Sequence, residues 1–282
     1  MKRGMTLIEL LVALTMSIIL SLGLYYALKN SGLFFAQDKA ISDLIEYSRT
    51  AEEQLKFYFD RWGNGVPTGG TNCEFNFDTN LDPQQFPSNR FCITKNASSP
   101  CDEIIFYGNT QGFLIVLGER DTNSYNALSC RMTSDNEDYY YVWRGENVIA
   151  LTTGRNIGID GGDCGIGGNF SNAAVPKQIQ DINGNTISLQ TGDAIIRVPK
   201  IIRIYCDITD GELYLKVSER EGDKKRPITS PLAPVSSMQA ELLPQGCNPI
   251  NGECKAVKFT ITFVNRVGTR EYTLTKDIIL GR

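Results

Sequence analysis

The sequence contains no histidine among its 282 residues. The Ser-His-Asp and Cys-His arrangements, which activate a nucleophile through an imidazole, are therefore excluded as usually built. HExxH metal sites, and every zinc site that needs an imidazole ligand, are excluded as well. The absence of histidine removes much of the usual chemistry of enzymes, and we expect a protein that is not an enzyme.

The sequence also lacks an excess of positive charge. It has 28 Lys and Arg against 32 Asp and Glu, a formal net charge of -4, and the two signs are mixed along the chain. Bulk charge of this sign does not favour nucleic-acid binding, so we do not expect nucleic acid as a partner. The length and a hydrophobic content of 41% are enough for one sizeable core or two small lobes.

Charge is nearly absent from the N-terminal segment, where Glu9 is the one charged residue between Thr6 and Leu28. As an α-helix this run would extend about 34 Å, enough to cross a bilayer core of about 30 Å. Lys2 and Arg3 precede the run, which predicts a cytoplasmic N-terminus with the rest of the chain exported. We predict a transmembrane helix over residues 5–29.

Two simpler interpretations compete with this one. A secretory signal peptide has an apolar core of about 7–15 residues and a small-residue cleavage site after it. The run found here is longer, and no A-x-A sequence follows it. An ordinary membrane anchor explains the length and the basic flank but not Glu9, because a carboxylate inside a membrane span is costly and normally has a partner.

The N-terminal residues also carry a resemblance to a known family. The segment Arg3-Gly4-Met5-Thr6-Leu7-Ile8-Glu9, continued by apolar residues to Leu14, resembles the class III signal of type IV pilins and type II secretion pseudopilins. The resemblance implies that a prepilin peptidase removes leader residues 1–4 by cutting after Gly4. It also implies N-methylation of Met5, where phenylalanine is more usual, and it places Glu9 at the position of the family's near-invariant glutamate.

Cleavage after Gly4 would create a positively charged amine at Met5 in an apolar environment. A buried charge needs a partner. Met5 and Glu9 lie one helical turn apart, on one face of the helix. We therefore predict that Glu9 of one subunit neutralises the Met5 amine of a neighbour as their helices stagger, which makes Glu9 the assembly residue.

Residues 30–62 predict a second, amphipathic part of the same helix, which we call the stalk. Apolar residues recur there at spacings of three and four, and most charged residues occupy the other faces. We interpret this stripe as a surface that packs on the head. Ser31-Gly32 is a candidate kink, and Gly63-Asn64-Gly65 ends the helix. The stripe consists of Ile41, Leu44, Ile45, Ser48, Glu52, Leu55, Tyr58, Phe59 and Trp62.

Residues 63–282 predict a β-rich head. Short apolar runs and the turn signals Asp210-Gly211 and Val267-Gly268 favour antiparallel hairpins. We expect loop regions over residues 66–103, 154–193 and 220–252. A helix followed by mainly antiparallel strands indicates the α+β class, with the helix packed on the sheet. The predicted strands are Ile104–Tyr107, Phe113–Leu117, Tyr139–Trp143, Asn147–Leu151, Ala194–Val198, Ile201–Ile208, Glu212–Val217, Lys255–Asn265 and Arg270–Leu280.

All eight cysteines lie after residue 70, and none belongs to a CxxC sequence. An even number confined to the exported part predicts disulfide bonds formed in an oxidising compartment. The sequence does not fix the pairing. Cys247–Cys254, which closes a short loop, is the first candidate, and Cys92–Cys101 is the second. The remaining candidates are Cys73, Cys130, Cys164 and Cys206.

No cofactor is expected, with calcium as the alternative left open. Asp181, Asn183, Asn185 and Asp193 offer oxygen ligands at alternate positions, as calcium sites do. An EF-hand would need glycine and glutamate where this segment has threonine and glycine. An Asn-Gly turn explains the segment without a metal.

The length of the chain, the segment Phe59-Asp60-Arg61-Trp62-Gly63 and the C-terminal strand ending Ile278-Ile279-Leu280-Gly281-Arg282 are similar to PilW-type minor pilins and J-type pseudopilins. This resemblance implies a minor type IV pilin that primes pilus assembly and lies at or near the filament tip. Its implied partners are the prepilin peptidase, other minor and major pilins, and the inner-membrane assembly platform. The implied location is the inner membrane, crossed once with the head in the periplasm, and then the filament or cell surface. A J-type type II secretion pseudopilin and a membrane-anchored periplasmic adhesin or DNA-binding head stay open as alternatives.

Overall fold

A computed structural model describes residues 7–63, 65–66, 91–95, 99–109, 112–135, 138–160, 171–220, 228–247, 253–267 and 270–281. Gly4, Met5, Cys73 and Cys164 lie outside the described residues, so the predictions made for them stay predictions. Within these ranges one long helix precedes a head of antiparallel strands, which confirms the predicted α+β class.

The long helix, α1, is continuous from Leu7 to Phe59 and contains 53 residues. Both Ser31 and Gly32, the predicted kink, are helical. A single glycine costs about 1 kcal/mol in a helix, and the strong helix formers on both sides of it outweigh that cost. After Phe59 the backbone tightens into a final turn, in which the N–H of Trp62 donates to the carbonyl of Phe59.

The buried stripe of α1 differs in part from the predicted one. Ile41 and Ile45 were placed in the stripe, but they are 42% and 57% exposed, so that part of the prediction was wrong. A count of large apolar residues overlooks Ala40 and Ala51, which are fully buried because a small side chain lets the sheet approach the helix closely. The buried residues are Ala40, Leu44, Ser48, Ala51, Leu55, Tyr58 and Phe59.

The head combines many strands with one short helix. In chain order its described elements are β1 (Phe91–Thr94), β2 (Glu103–Gly108), β3 (Phe113–Glu119), β4 (Ser124–Cys130), β5 (Tyr139–Arg144), β6 (Asn147–Thr153), α2 (Gly154–Ile157), β7 (Ser171–Pro176), β8 (Gln178–Gln180), β9 (Thr186–Ser188), β10 (Ala194–Arg197), β11 (Lys200–Thr209), β12 (Glu212–Arg220), β13 (Ile228–Leu243), β14 (Ala256–Val267) and β15 (Arg270–Gly281).

These strands form two large sheets and one small hairpin. The first sheet has the order β1-β2-β11-β12-β13-β14-β15, the second has the order β6-β5-β10-β3-β4-β7, and β8 pairs with β9. Strands β2 and β11 are neighbours in the first sheet, with Ile104 opposite Ile204. The whole second sheet lies between them in the chain, so it is an insertion into the first sheet.

The turn between β11 and β12 follows from its sequence. Asp210 has φ 53° and Gly211 has φ 83°, the pair of positive angles that a two-residue type I′ hairpin requires. Thr209 and Glu212 are paired on either side of this turn. The predicted Asp210-Gly211 hairpin is confirmed.

Each large sheet has its own core. Helix α1 packs on the first sheet, where the ring of Phe59 lies 5.0 Å from the ring of Phe106 and 5.2 Å from that of Phe259. A separate cluster that includes Tyr140 and Ile195, both fully buried, fills the second sheet. The head therefore has two lobes, of which the first carries the helix.

Several predicted loop regions contain strands. Residues 66–103 include β1, residues 154–193 include β7, β8 and β9, and residues 220–252 include the 16-residue strand β13; β4 was also missed. Pro231 and Pro234 argue against a central strand, because proline donates no ladder hydrogen bond. They are tolerated in β13 because they flank the point at which its register with β12 shifts.

Candidate functional site: the membrane helix and its junction with the head

The N-terminal half of α1 exposes a continuous apolar surface. Leu7 is 78% exposed and Leu20 is 73% exposed, and the large apolar side chains between them are also exposed. Among the described residues, α1 is the one helix that is long and apolar enough to cross a membrane. Burial of apolar surface is worth about 25 cal/mol per Å². This surface therefore fits a membrane anchor that is covered by lipid or by other apolar helices.

Glu9 lies in the first turn of α1, and its side chain is exposed. A carboxylate is favoured there by the partial positive charge at the N-terminus of a helix. Between Glu9 and Lys29 the helix has no other charged residue. The pairing of Glu9 with the Met5 amine of a neighbouring subunit stays a prediction, since Met5 lies outside the described residues.

At the opposite end of α1, Tyr58 joins the helix to the first sheet. Its hydroxyl donates to Oε1 of Glu219 at 2.6 Å, and Nζ of Lys200 lies 3.0 Å from Oε2 of the same carboxylate. The Lys200 and Glu219 side chains are 6% and 18% exposed, so little water screens their attraction. Burial, reinforced by Glu219, raises the pKa of Tyr58, which keeps its hydroxyl protonated as the donor.

Two further contacts join α1 to the hairpin β14–β15. Nζ of Lys276 lies 2.5 Å from Oε2 of Glu52. Nδ2 of Asn265 donates to the carbonyl of Ala40 at 3.3 Å and to Oδ2 of Asp43 at 3.2 Å. Contacts from residue 40 to residue 58 extend over about 27 Å of helix. The C-terminal half of α1 is therefore built into the head, and the N-terminal half projects from it.

Every cysteine that the structure describes is in a disulfide bond. The Cys247–Cys254 bond, which the sequence favoured first, is present. Cys92 and Cys130 are also disulfide-bonded. These bonds fit an exported head that folds in an oxidising compartment.

The predicted Cys92–Cys101 pair was wrong, because Cys101 bonds to Cys206. The register of the first sheet explains this pairing. Ile104 of β2 lies opposite Ile204 of β11, which brings the residues just before β2 beside the middle of β11. This bond joins positions 105 residues apart in the chain, whereas the predicted pairs assumed that cysteines close in sequence bond to each other.

The calcium candidates divide into two places. Oδ1 of Asp181 accepts hydrogen bonds from the backbone N–H groups of Asn183 at 2.8 Å and Asn185 at 2.7 Å. The side-chain hydrogen bond from Asn185 is the main cause that lowers the pKa of Asp181. These contacts close the turn between β8 and β9.

Asp193 has a different environment from Asp181. Its side chain is 2% exposed, and its two oxygens accept hydrogen bonds from Nε and Nη2 of Arg144 at 2.9 and 2.8 Å. Within the described part of the chain, no group of three or more His, Cys, Asp or Glu residues could hold a metal ion. The calcium alternative stays a prediction to be tested.

The local sequence pattern does not indicate the contact among Tyr58, Glu219 and Lys200. Tyr58 falls within the predicted apolar stripe, and the two charged partners belong to neighbouring strands, 19 residues apart in the chain. One usable signal was a lysine directly before the apolar residues Ile201 and Ile202, because a charge that begins a buried strand needs a partner.

Comparisons with known proteins match both the N-terminus and the full length of the chain. Residues 1–25 match the family described as "Prokaryotic N-terminal methylation motif". Over 282 residues the chain is 67% identical to a protein of Aquifex aeolicus (strain VF5) described as "Uncharacterized protein", and the match covers 100% of each sequence. No solved structure matches the chain.

Proposed function

This chain belongs to the same family as the Aquifex aeolicus protein and has the N-terminus of a type IV pilin-like protein, and on this premise we propose that it is a minor type IV pilin. In this proposal it is a non-enzymatic subunit without a cofactor. It primes pilus assembly by bundling with other minor pilins in the inner membrane, and it then lies at or near the filament tip.

The observation that carries the proposal is the single carboxylate in an otherwise uncharged span. Glu9 follows the predicted cleavage site at Gly4 closely enough to meet the new Met5 amine of a neighbouring subunit. In hydrocarbon, either charge alone would be strongly destabilising, so the arrangement of two helices that pairs the charges is favoured over one that leaves them unpaired. Helix α1 is continuous into the head, so a subunit held at this contact carries its head with it.

The proposed topology follows from the basic residues before the span. Lys2 and Arg3 keep the N-terminus in the cytoplasm, where the prepilin peptidase meets the leader. The head, with its disulfide bonds, then lies in the periplasm. The assembly platform in the inner membrane and the major pilins are the further partners in this proposal.

The size of the head supports the role of a minor subunit over that of the repeating subunit of the filament shaft. The first sheet and α1 already form a complete lobe with its own core, and the second sheet is inserted between β2 and β11. An added lobe of this size hinders close packing in a helical shaft. At the tip it has no neighbour above it.

Mass spectrometry of the full chain purified from membranes or filaments tests the processing step. We expect a mature chain that begins at an N-methylated Met5. A chain that retains residues 1–4 in assembled filaments contradicts the proposal. A type II secretion pseudopilin would have the same processed N-terminus. Finding the mature subunit in pilus filaments or in the secretion system distinguishes these two functions.

The substitution Glu9→Gln tests the assembly role. We expect normal cleavage and incorporation into filaments reduced about tenfold or more, because the amine loses its partner. Glu53→Gln is the matched control, since Glu53 lies on the same helix in a well-exposed ion pair with Arg49, and such pairs contribute little. Equal incorporation of the two variants contradicts a pairing role for Glu9.

A further inference from the structure

A cleft opens in the head where β13 changes its neighbour. Residues 228–234 of β13 pair with β12, whereas residues 235–243 pair with β14. At this change the first sheet separates and leaves a cleft of about 530 Å³ beside α1. The residues that carry its chemistry are Tyr47, Glu212, Tyr214, Pro234, Ser236 and Arg266.

Aromatic rings and prolines form part of the walls of the cleft. Tyr47 of α1 and Tyr214 of β12 both line it, together with Pro100 and Pro234. Tyrosine rings bind cations through their faces, and a guanidinium also stacks on them as a plane. The walls therefore fit the stem and the head of a Lys or Arg side chain.

The cleft also holds an acidic side chain. Glu212 is half-buried and makes no side-chain hydrogen bond or ion pair with another residue in the described part of the chain. Arg266, the cation in the lining, is paired with Glu271 at 3.0 Å. A cation bound beside a half-buried carboxylate stabilises its negative charge.

The electrostatic environment of Tyr47 agrees with this geometry. Burial is the main cause that raises its pKa, and the carboxylates of Asp43, Glu46 and Glu212 and the phenol of Tyr214 raise it further. Three carboxylates therefore lie near Tyr47, and they favour a positively charged group beside it.

The cleft lies at the end of the head that faces the membrane. Its residue Asn265 contacts Ala40 and Asp43 of α1, and Tyr47 lies less than two turns further along the helix. The predicted span ends at residue 29, so the cleft is about 16–27 Å from the end of the span along the helix. In a filament whose stalks pack with a stagger, this rim of the head faces the next subunit.

We propose that this cleft binds a Lys or Arg side chain of a neighbouring filament subunit. The inference rests on the proposed function, because it requires assembly into a filament. Tyr47 and Tyr214 hold the side chain by their rings, and Glu212 pairs with its charge. The cleft then adds a specific head-to-head contact to the packing of the stalks.

A photo-crosslinking residue placed at Ser236, which is exposed in the cleft, tests this contact in the full chain within cells that assemble filaments. We expect an adduct with another filament subunit, joined next to a Lys or Arg of that subunit and identified by mass spectrometry of the peptides. The matched control is the same probe at Ser188, an exposed serine of β9 in the second lobe. An equal yield of subunit adducts from both positions overturns the inference.

Charge reversal provides the second arm. With the probe at Ser236, Glu212→Lys should lower the adduct yield about tenfold or more, because close charge pairs across interfaces contribute this much binding. Glu146→Lys is the control, since Glu146 is exposed in the turn between β5 and β6. Replacement of the identified partner cation by Glu should restore the adduct of the Glu212→Lys variant. Equal yields from the two Lys variants, or no restoration, overturn the inference.

N-terminal processing and filament incorporation are measured in the same cells. These measurements distinguish failure of the cleft contact from failure of the proposed function. A chain that is cleaved, methylated and incorporated but gives no cation-adjacent adduct overturns the cleft contact alone. A chain that is not incorporated overturns the cleft contact together with the proposed function. Melting curves of each variant in detergent exclude misfolding as the cause of a lost adduct.

Discussion

The hydroxyl of Tyr58 donates to Oε1 of Glu219 at 2.6 Å, and this hydrogen bond joins the C-terminal end of α1 to strand β12. Lys200 of β11 holds the other oxygen of the same carboxylate. Helix α1 therefore meets two consecutive strands, β11 and β12, at one half-buried charge. This contact fixes the C-terminal end of the helix to the first sheet.

Removal of the Tyr58 hydroxyl should destabilise the head. The variant Tyr58→Phe keeps the ring but leaves one oxygen of Glu219 without its donor, and we expect a loss of about 1–2 kcal/mol in the free energy of unfolding. Urea unfolding of the full chain in detergent measures it. Tyr125→Phe is the control, because the Tyr125 hydroxyl makes no hydrogen bond to another residue in the described ranges. Equal stability of the two variants contradicts the prediction.

Alkaline pH should weaken the fold through Tyr107. Burial raises the pKa of Tyr107 from 10.0 to about 12. The unfolded state therefore releases this proton first, so the contribution of Tyr107 to stability is complete below pH 10 and is lost as pH rises through about 12. We expect the free energy of unfolding to fall over this range. The fall should be smaller in Tyr107→Phe than in Tyr125→Phe, and an equal slope contradicts the assignment.

Much of the fold could be predicted from local patterns. The apolar N-terminus predicts the exposed apolar half of α1, and Asp210-Gly211 predicts the turn between β11 and β12 because each residue tolerates positive φ. These features depend on neighbouring residues alone. Chemistry carried by a short segment, such as Glu9 in its uncharged run, was accessible for the same reason.

Long-range pairing could not be predicted in this way. No local pattern indicates that β2 pairs with β11 across an inserted sheet, and the Cys101–Cys206 bond depends on that pairing. The cleft beside Tyr47 depends on where β13 changes from β12 to β14, which is a property of two registers together. Strand β13 itself was not predicted, because its prolines argue against a central strand.

The two described disulfides should differ in their contribution to stability. Cys101–Cys206 joins positions 105 residues apart, whereas Cys247–Cys254 joins positions 7 apart. Loop-closure entropy gives about 4.7 kcal/mol for a loop of about 100 residues and about 2.5 kcal/mol for the short one. We expect the double Cys→Ser variant of the long pair to lose about 2 kcal/mol more than that of the short pair. Urea unfolding under oxidising conditions measures both, and equal losses contradict the ranking.

Calcium and chelators should leave the thermal stability of the head unchanged. The oxygens of Asp181 already accept hydrogen bonds from Asn183 and Asn185, and Asp193 is engaged by Arg144. A cation would have to displace these donors before it could bind, and it would find few remaining carboxylate oxygens. Melting curves of the full chain in detergent, with millimolar calcium and with EDTA, test this expectation.

The paired variants Asp181→Ala and Asp121→Ala make the calcium experiment specific. Asp121 caps a similar turn, in which it accepts hydrogen bonds from the backbone N–H groups of Asn123 and Ser124. Each variant should lower the melting temperature by a similar amount, because each loses one turn-capping carboxylate. A rise in melting temperature with calcium that disappears in Asp181→Ala but persists in Asp121→Ala would contradict the prediction and assign a calcium site to the turn between β8 and β9.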